Sequence, residues 1–90
     1  MNSTRYRDDP VAALFSIPTP LDYLPWVRIL TAFKAAGGSE FAAREWSESG
    51  EGYNERVFRT TWRSIRAEGG ITARTLYWIA GANGYRSERV

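Results

Sequence analysis

The sequence predicts an all-α fold, a bundle of five short helices around one aromatic-rich core. Three observations predict it. Apolar residues recur at helical rather than alternating spacing, Pro, Gly and capping residues cut the chain into short pieces, and strand signals are nearly absent. The size fits, because 90 residues suffice for one domain and would starve a second core. Hydrophobic residues at 43% and aromatic residues at 14% place the chain among globular proteins rather than disordered ones. Residues 1–90 are therefore read as a single domain, with the tails Met1–Asp9 and Ser87–Val90 expected to fray.

Each element has its own signal. Asp9–Pro10 is an N-cap followed by proline at the first helical position, and the first helix runs through Leu14 and Phe15 until Pro18 stops it. The second starts at about Asp22, with Pro25 tolerated in its first turn, and places Trp26, Leu30 and Phe33 at i, i+4 and i+7 before Gly37–Gly38. Ser39 caps the third, which is expected to turn Phe41, Ala42 and Trp46 inward and to end near Ser49–Gly50. Asn54 caps the fourth, where Val57, Phe58, Thr61, Trp62 and Ile65 form an apolar stripe that runs toward Gly69–Gly70. Thr72 caps the fifth, with Leu76, Ile79, Ala80 and Asn83 on one face and Gly84 at the C-terminal cap position.

Composition also narrows function. The chain has no Cys and no His, so disulfides, thiolate metal sites and the commonest general base are absent. Glu40, Glu45, Glu48 and Glu51 read as a solvated acidic face, so no catalytic residues, metal or cofactor are expected. No apolar stretch approaches the roughly 20 residues of a membrane span, and the polar start does not resemble a signal peptide. A cytoplasmic domain without membrane contact is the expectation.

Charge is divided along the chain. Residues 1–55 carry five basic residues against eight acidic ones, whereas residues 56–90 carry seven against two. Arg56, Arg59, Arg63 and Arg66 fall at i, i+3, i+7 and i+10 of the fourth helix, within roughly 80° of one another and opposite the apolar stripe. With no carboxylate between them on that arc they should repel one another, which favours a polyanion-binding ridge, while a plain solvated face, its ends matched to the helix dipole by Glu55 and Arg66, stays open. Arg74 and Lys34 lie at its margin. The aromatics Tyr23, Trp26, Phe33, Trp46 and Trp62 read as core. Trp78, Tyr77 and Tyr85 are harder to bury, because Leu76 and Ile79 already face inward, so at least one is expected to be exposed for stacking or docking.

The ordered set Asp22–Tyr23 with Trp26, Ala32–Phe33–Lys34, Trp46–Ser47, Tyr53, Trp62 with Ser64, and Gly69–Gly70–Ile71–Thr72 with Thr75–Leu76 resembles the PriCT-2 domain, the second class of primase C-terminal domain. The resemblance covers about Val11 to Arg86. It implies a non-catalytic helical module that follows a primase or primase-polymerase domain in replication proteins of phages, plasmids and other mobile elements, often with a helicase after it. Its implied partner is DNA, single-stranded or template, contacted during primer synthesis. Two departures stand out: Arg74 occupies a place where the family commonly has glycine, and Leu30–Thr31 replaces a common Gly–Met pair. Two other readings stay open, a protein–protein docking module that holds a primase to its helicase or oligomer partner, and a free-standing regulator or inhibitor encoded by a mobile element.

Overall fold

A computed structural model describes residues 6–7, 9–66, 70–86 and 88–89. The five expected helices are present: α1 Pro10–Phe15, α2 Tyr23–Ala35, α3 Glu40–Glu48, α4 Glu55–Ser64 and α5 Ala73–Ala82. Four N-termini behave as local chemistry requires. Asp9 accepts hydrogen bonds from the Val11 and Ala12 amides, Ser39 from Ala42, and Asn54 from Val57. Pro25 stands third in α2, where its missing N–H has no helical partner to lose. Asp22 and Thr72 occupy cap positions without forming a side-chain cap bond.

Two helix ends close in the same way. The Gly38 amide donates to the Phe33 carbonyl and Gly37 to Lys34, while Tyr85 donates to Ala80 and Gly84 to Gly81. Gly37 and Gly84 take φ of 88° and 97°, the left-handed geometry that this double closure needs. Gly38 is required for another reason, since a Cβ there would meet the Phe33 ring at 2.3 Å.

Helix α5 packs on α2 and α1, α3 packs on α1, α2 and α4, and α4 packs on α2 and α3. The core holds Leu14, Leu30, Phe33, Trp46, Phe58 and Leu76 as its largest fully buried side chains. Its rings form a connected set. Phe58 lies between Trp26 at 6.4 Å and Trp62 at 6.1 Å, and Trp62 meets Phe33 at 6.5 Å. The linker between α1 and α2 is tied to α3 by polar bonds: Trp46 Nε1 donates to the Ile17 carbonyl at 2.8 Å, and Thr19 Oγ1 donates to the Trp46 carbonyl at 3.0 Å.

Four expectations are corrected. Phe41 is 71% exposed, because the buried arc of α3 is Ala42, Ala43, Trp46 and Ser47 and Phe41 projects from the other side of it. Val57 is 43% exposed and borders the core rather than filling it. Tyr23 is half-exposed, its hydroxyl bonded to Thr61 Oγ1. The tails do more than fray, since Tyr6–Arg7 pairs antiparallel with Glu88–Arg89. The Asp9 amide also donates to the Tyr85 hydroxyl, holding the start of α1 to the end of α5.

Opposite outcomes are expected for two glycine substitutions. Gly38→Ala should cost about 1–3 kcal/mol, because the buried Phe33 ring has nowhere to retreat. Gly81→Ala, in open space on α5, should instead stabilise by about 0.4–1 kcal/mol. Thermal unfolding of both variants checks the pair.

Candidate nucleic-acid interface

The amphipathic sequence of α4 decides which residues it presents. Phe58, Thr61 and Trp62 are buried, and Arg56, Arg59 and Arg63 are exposed. At 100° per residue the mean direction of these three arginines lies roughly 140° from that of the buried set. Thr60, also exposed, shares the arginine arc and adds a hydroxyl donor to it. The spacing that marks the arginines marks Thr60 equally, within roughly 40° of Arg56.

Two of the expected basic contacts are placed differently. Arg66 does not continue the ridge as a helical residue: α4 ends at Ser64, and Ile65 is extended at ψ 131°. Arg66 is exposed just past that end. The Gly69–Gly70 terminator expected for α4 therefore stands beyond the true helix end, and Gly69 lies outside the described residues. Lys34 explains the early stop. Its Nζ donates to the Trp62 carbonyl at 2.7 Å and the Ile65 carbonyl at 3.2 Å, and it stands 4.9 Å from the centroid of the Trp62 ring. The only lysine in the chain is thus the C-terminal cap of α4, supplied from α2, where a cation complements the helix dipole. Half-buried and doubly bonded, Lys34 has a structural role at this helix end.

The ridge does have a carboxylate neighbour, contrary to the expectation. Arg59 reaches Glu55 at 3.4 Å. Glu55 is more strongly engaged elsewhere, by the Tyr53 hydroxyl and by Arg44 Nε at 3.2 Å. These bonds, led by that of Tyr53, hold the Glu55 carboxyl below the usual carboxylate range. Bonding to Glu55 raises Arg44, and burial followed by the Glu55 bond pushes the Tyr53 hydroxyl up to about 12. Arg44 also bonds Glu40 and lies 5.2 Å from the centroid of the Phe58 ring. One carboxylate thus serves Arg44 and Tyr53 first, and a long exposed contact of this kind is worth little. The arginine face keeps most of its positive charge. Arg44 joins α3 to α4: its i,i+4 pairing with Glu40 is legible in sequence, whereas its bond to Glu55 is nonlocal and carries no sequence signal.

A second exposed surface lies on α5. Trp78 is 73% exposed and Arg74, one turn before it, is exposed as well. Tyr77 and Tyr85 are half-buried and packed on each other at 6.0 Å, so of the three aromatics expected there only Trp78 is a free platform. Helix α5 makes no packing contact with α4 among the described residues, which separates Arg74 from the ridge. No group of three or more acidic, His or Cys residues capable of holding a metal occurs among the described residues. No helix there is long and apolar enough to cross a membrane.

A sequence model of the Primase C terminal 2 (PriCT-2) family matches residues 11–80. The chain belongs to that family. The match covers α1 through α4 and most of α5, so both exposed surfaces lie within the PriCT-2 region. The chain is accordingly a primase C-terminal module. No curated protein and no solved structure matches it significantly.

Replacing Lys34 separates its structural role from a binding one. Lys34→Met keeps the side-chain length but leaves the Trp62 and Ile65 carbonyls without their cation. The expected loss is about 1–2 kcal/mol, read by denaturant unfolding. The salt dependence of any DNA binding should stay as in the parent protein.

Proposed function

We propose that this PriCT-2 module is a non-catalytic DNA-binding accessory domain that contacts single-stranded template through the outer face of α4. The supporting observation is the set Arg56, Arg59 and Arg63, exposed on one arc of a helix whose other arc is fixed in the core. Planar guanidinium groups suit bidentate phosphate contact, and a single face of arginines without competing strong ion pairs suits a backbone more than base edges. Sequence preference is therefore weak and salt dependence strong. Arg66, just past the helix, is a flanking contact.

A second reading has an observation of its own in the Trp78–Arg74 surface of α5. Trp and Arg are the residue types that interfaces favour, and that surface suits docking to the primase catalytic domain or a helicase. The two readings predict different mutational footprints.

Anisotropy of a labelled single-stranded oligonucleotide tests the first reading. With three arginines neutralising phosphates at ~0.7 each, log K should fall with log salt at a slope near −2. Arg59→Ala/Arg63→Ala should flatten the slope to below −1 in magnitude and weaken binding, whereas Trp78→Ala should leave both unchanged. Binding that survives the double arginine variant and is lost in Trp78→Ala would move the site to α5 and overturn the ridge.

A further inference from the structure

The face of the domain around the start of α2 carries a different kind of site. A cleft of about 170 Å³ opens between the 18–22 linker and the loop joining α3 to α4. Its lining residues include the aromatics Tyr23, Trp26 and Tyr53 and the acidic residues Asp22 and Glu51. This volume is below the roughly 300–1,000 Å³ typical of small-molecule and cofactor sites, and suits one long side chain.

The polar ends of the three rings are already committed inside the protein. Trp26 Nε1 donates to Ser47 Oγ at 3.0 Å, the Tyr23 hydroxyl shares a hydrogen bond with Thr61 Oγ1 at 3.1 Å, and the Tyr53 hydroxyl donates to Glu55. What remains for a guest is aromatic surface and two carboxylates. Among the described residues the exposed side chains of Asp22 and Glu51 have no hydrogen-bond or ion-pair partner, and no basic residue lines the cleft. Aromatic surface with unpaired negative charge selects a cation on an apolar stem. The same carboxylates repel phosphate, so the cleft does not extend the DNA-binding face.

We propose that this cleft is a socket for an arginine or lysine side chain presented by a basic, apolar-flanked segment of a partner protein. Charge complementarity favours that occupant, and the surroundings favour a peptide over a free small cation. Leu21, which lines the cleft, and Leu24 beside it are each 77% exposed, an apolar shelf that residues on either side of the inserted cation would cover. The inference stands independently of the DNA reading, because no residue of the α4 ridge takes part.

The test uses the whole chain and the tripeptide amide acetyl-Leu-Arg-Leu, with acetyl-Leu-citrulline-Leu as its uncharged isostere. Titration is followed by NMR at the Trp26 indole N–H and the Gly52 amide. The arginine peptide should give saturable shifts at millimolar concentration, with the citrulline peptide about fivefold weaker or more. Asp22→Asn/Glu51→Gln should lose the same factor. Both substitutions are at exposed positions, so an unchanged spectrum elsewhere will show that the fold is retained. Glu45→Gln, an exposed carboxylate outside the cleft, should bind as the parent does. Equal binding of the two peptides, an equal loss in Glu45→Gln, or no shift at Trp26 would each overturn the socket. Spermidine binding as tightly as the peptide would overturn the assignment to a protein segment.

Discussion

The stacking of Phe58 on Trp62 is the contact on which the remaining geometry depends. The two rings lie 6.1 Å apart and nearly parallel, at 15°, and they project from successive turns of α4. Trp26 of α2 and Tyr53 of the preceding loop close on Phe58, and Phe33 closes on Trp62. A side chain like Phe58, with no exposed surface, leaves the helix only one azimuth, since interiors are close-packed and do not deform continuously. That azimuth turns Arg56, Arg59 and Arg63 outward together. The basic face is thus a consequence of core packing, with each arginine one or two positions from the buried Phe58 or Trp62.

The polar contacts around α4 follow the same constraint. Lys34 caps its C-terminal end from α2, and Arg44 reaches Glu55 in its first turn from α3. Cations from two other helices therefore hold both ends of the short helix, which on its own is below the length at which isolated helices persist in water. These two cations are spent on structure, whereas the three arginines on the outer arc carry no structural bond stronger than the long Arg59–Glu55 contact. The acidic residues sort in a parallel way. Glu40 and Glu55 are tied into the Arg44 network, whereas Asp22 and Glu51 stand open beside aromatic rings, so the two ends of the charge division along the chain serve chemically opposite surfaces.

Most of the fold was legible because it is written in local signals. The Asp9, Ser39 and Asn54 caps, the Phe58–Trp62 stripe and the Gly37 and Gly84 stops depend on neighbours within a few residues. That one of Trp78, Tyr77 and Tyr85 lies exposed is legible from the inward-facing residues of α5, but which of the three, Trp78, is settled only by the packing of Tyr77 on Tyr85. What sequence missed was nonlocal. The same isolated lysine reads as a surface cation until α2 and the end of α4 are seen to converge at Lys34. The length of α4 was overestimated for that reason, since Ile65 stays buried from an extended backbone and the stripe appears to continue. Phe41 was misplaced because its hydrophobicity suggested burial while the Ala43–Trp46–Ser47 arc had already fixed the inward side of α3. The cleft beneath the 18–22 linker is assembled from three segments and has no linear signature.

NMR mapping of an unlabelled single-stranded oligonucleotide on isotope-labelled protein tests the proposed DNA contact at the arginine face of α4 without recourse to mutation. The Nε–H signals of Arg56, Arg59 and Arg63 and the α4 amides should shift together, while Lys34, the Trp26 indole and the Trp78 indole stay in place. Shifts centred on Trp78 and Arg74, or on the Trp26 cleft, with α4 unmoved, would contradict it.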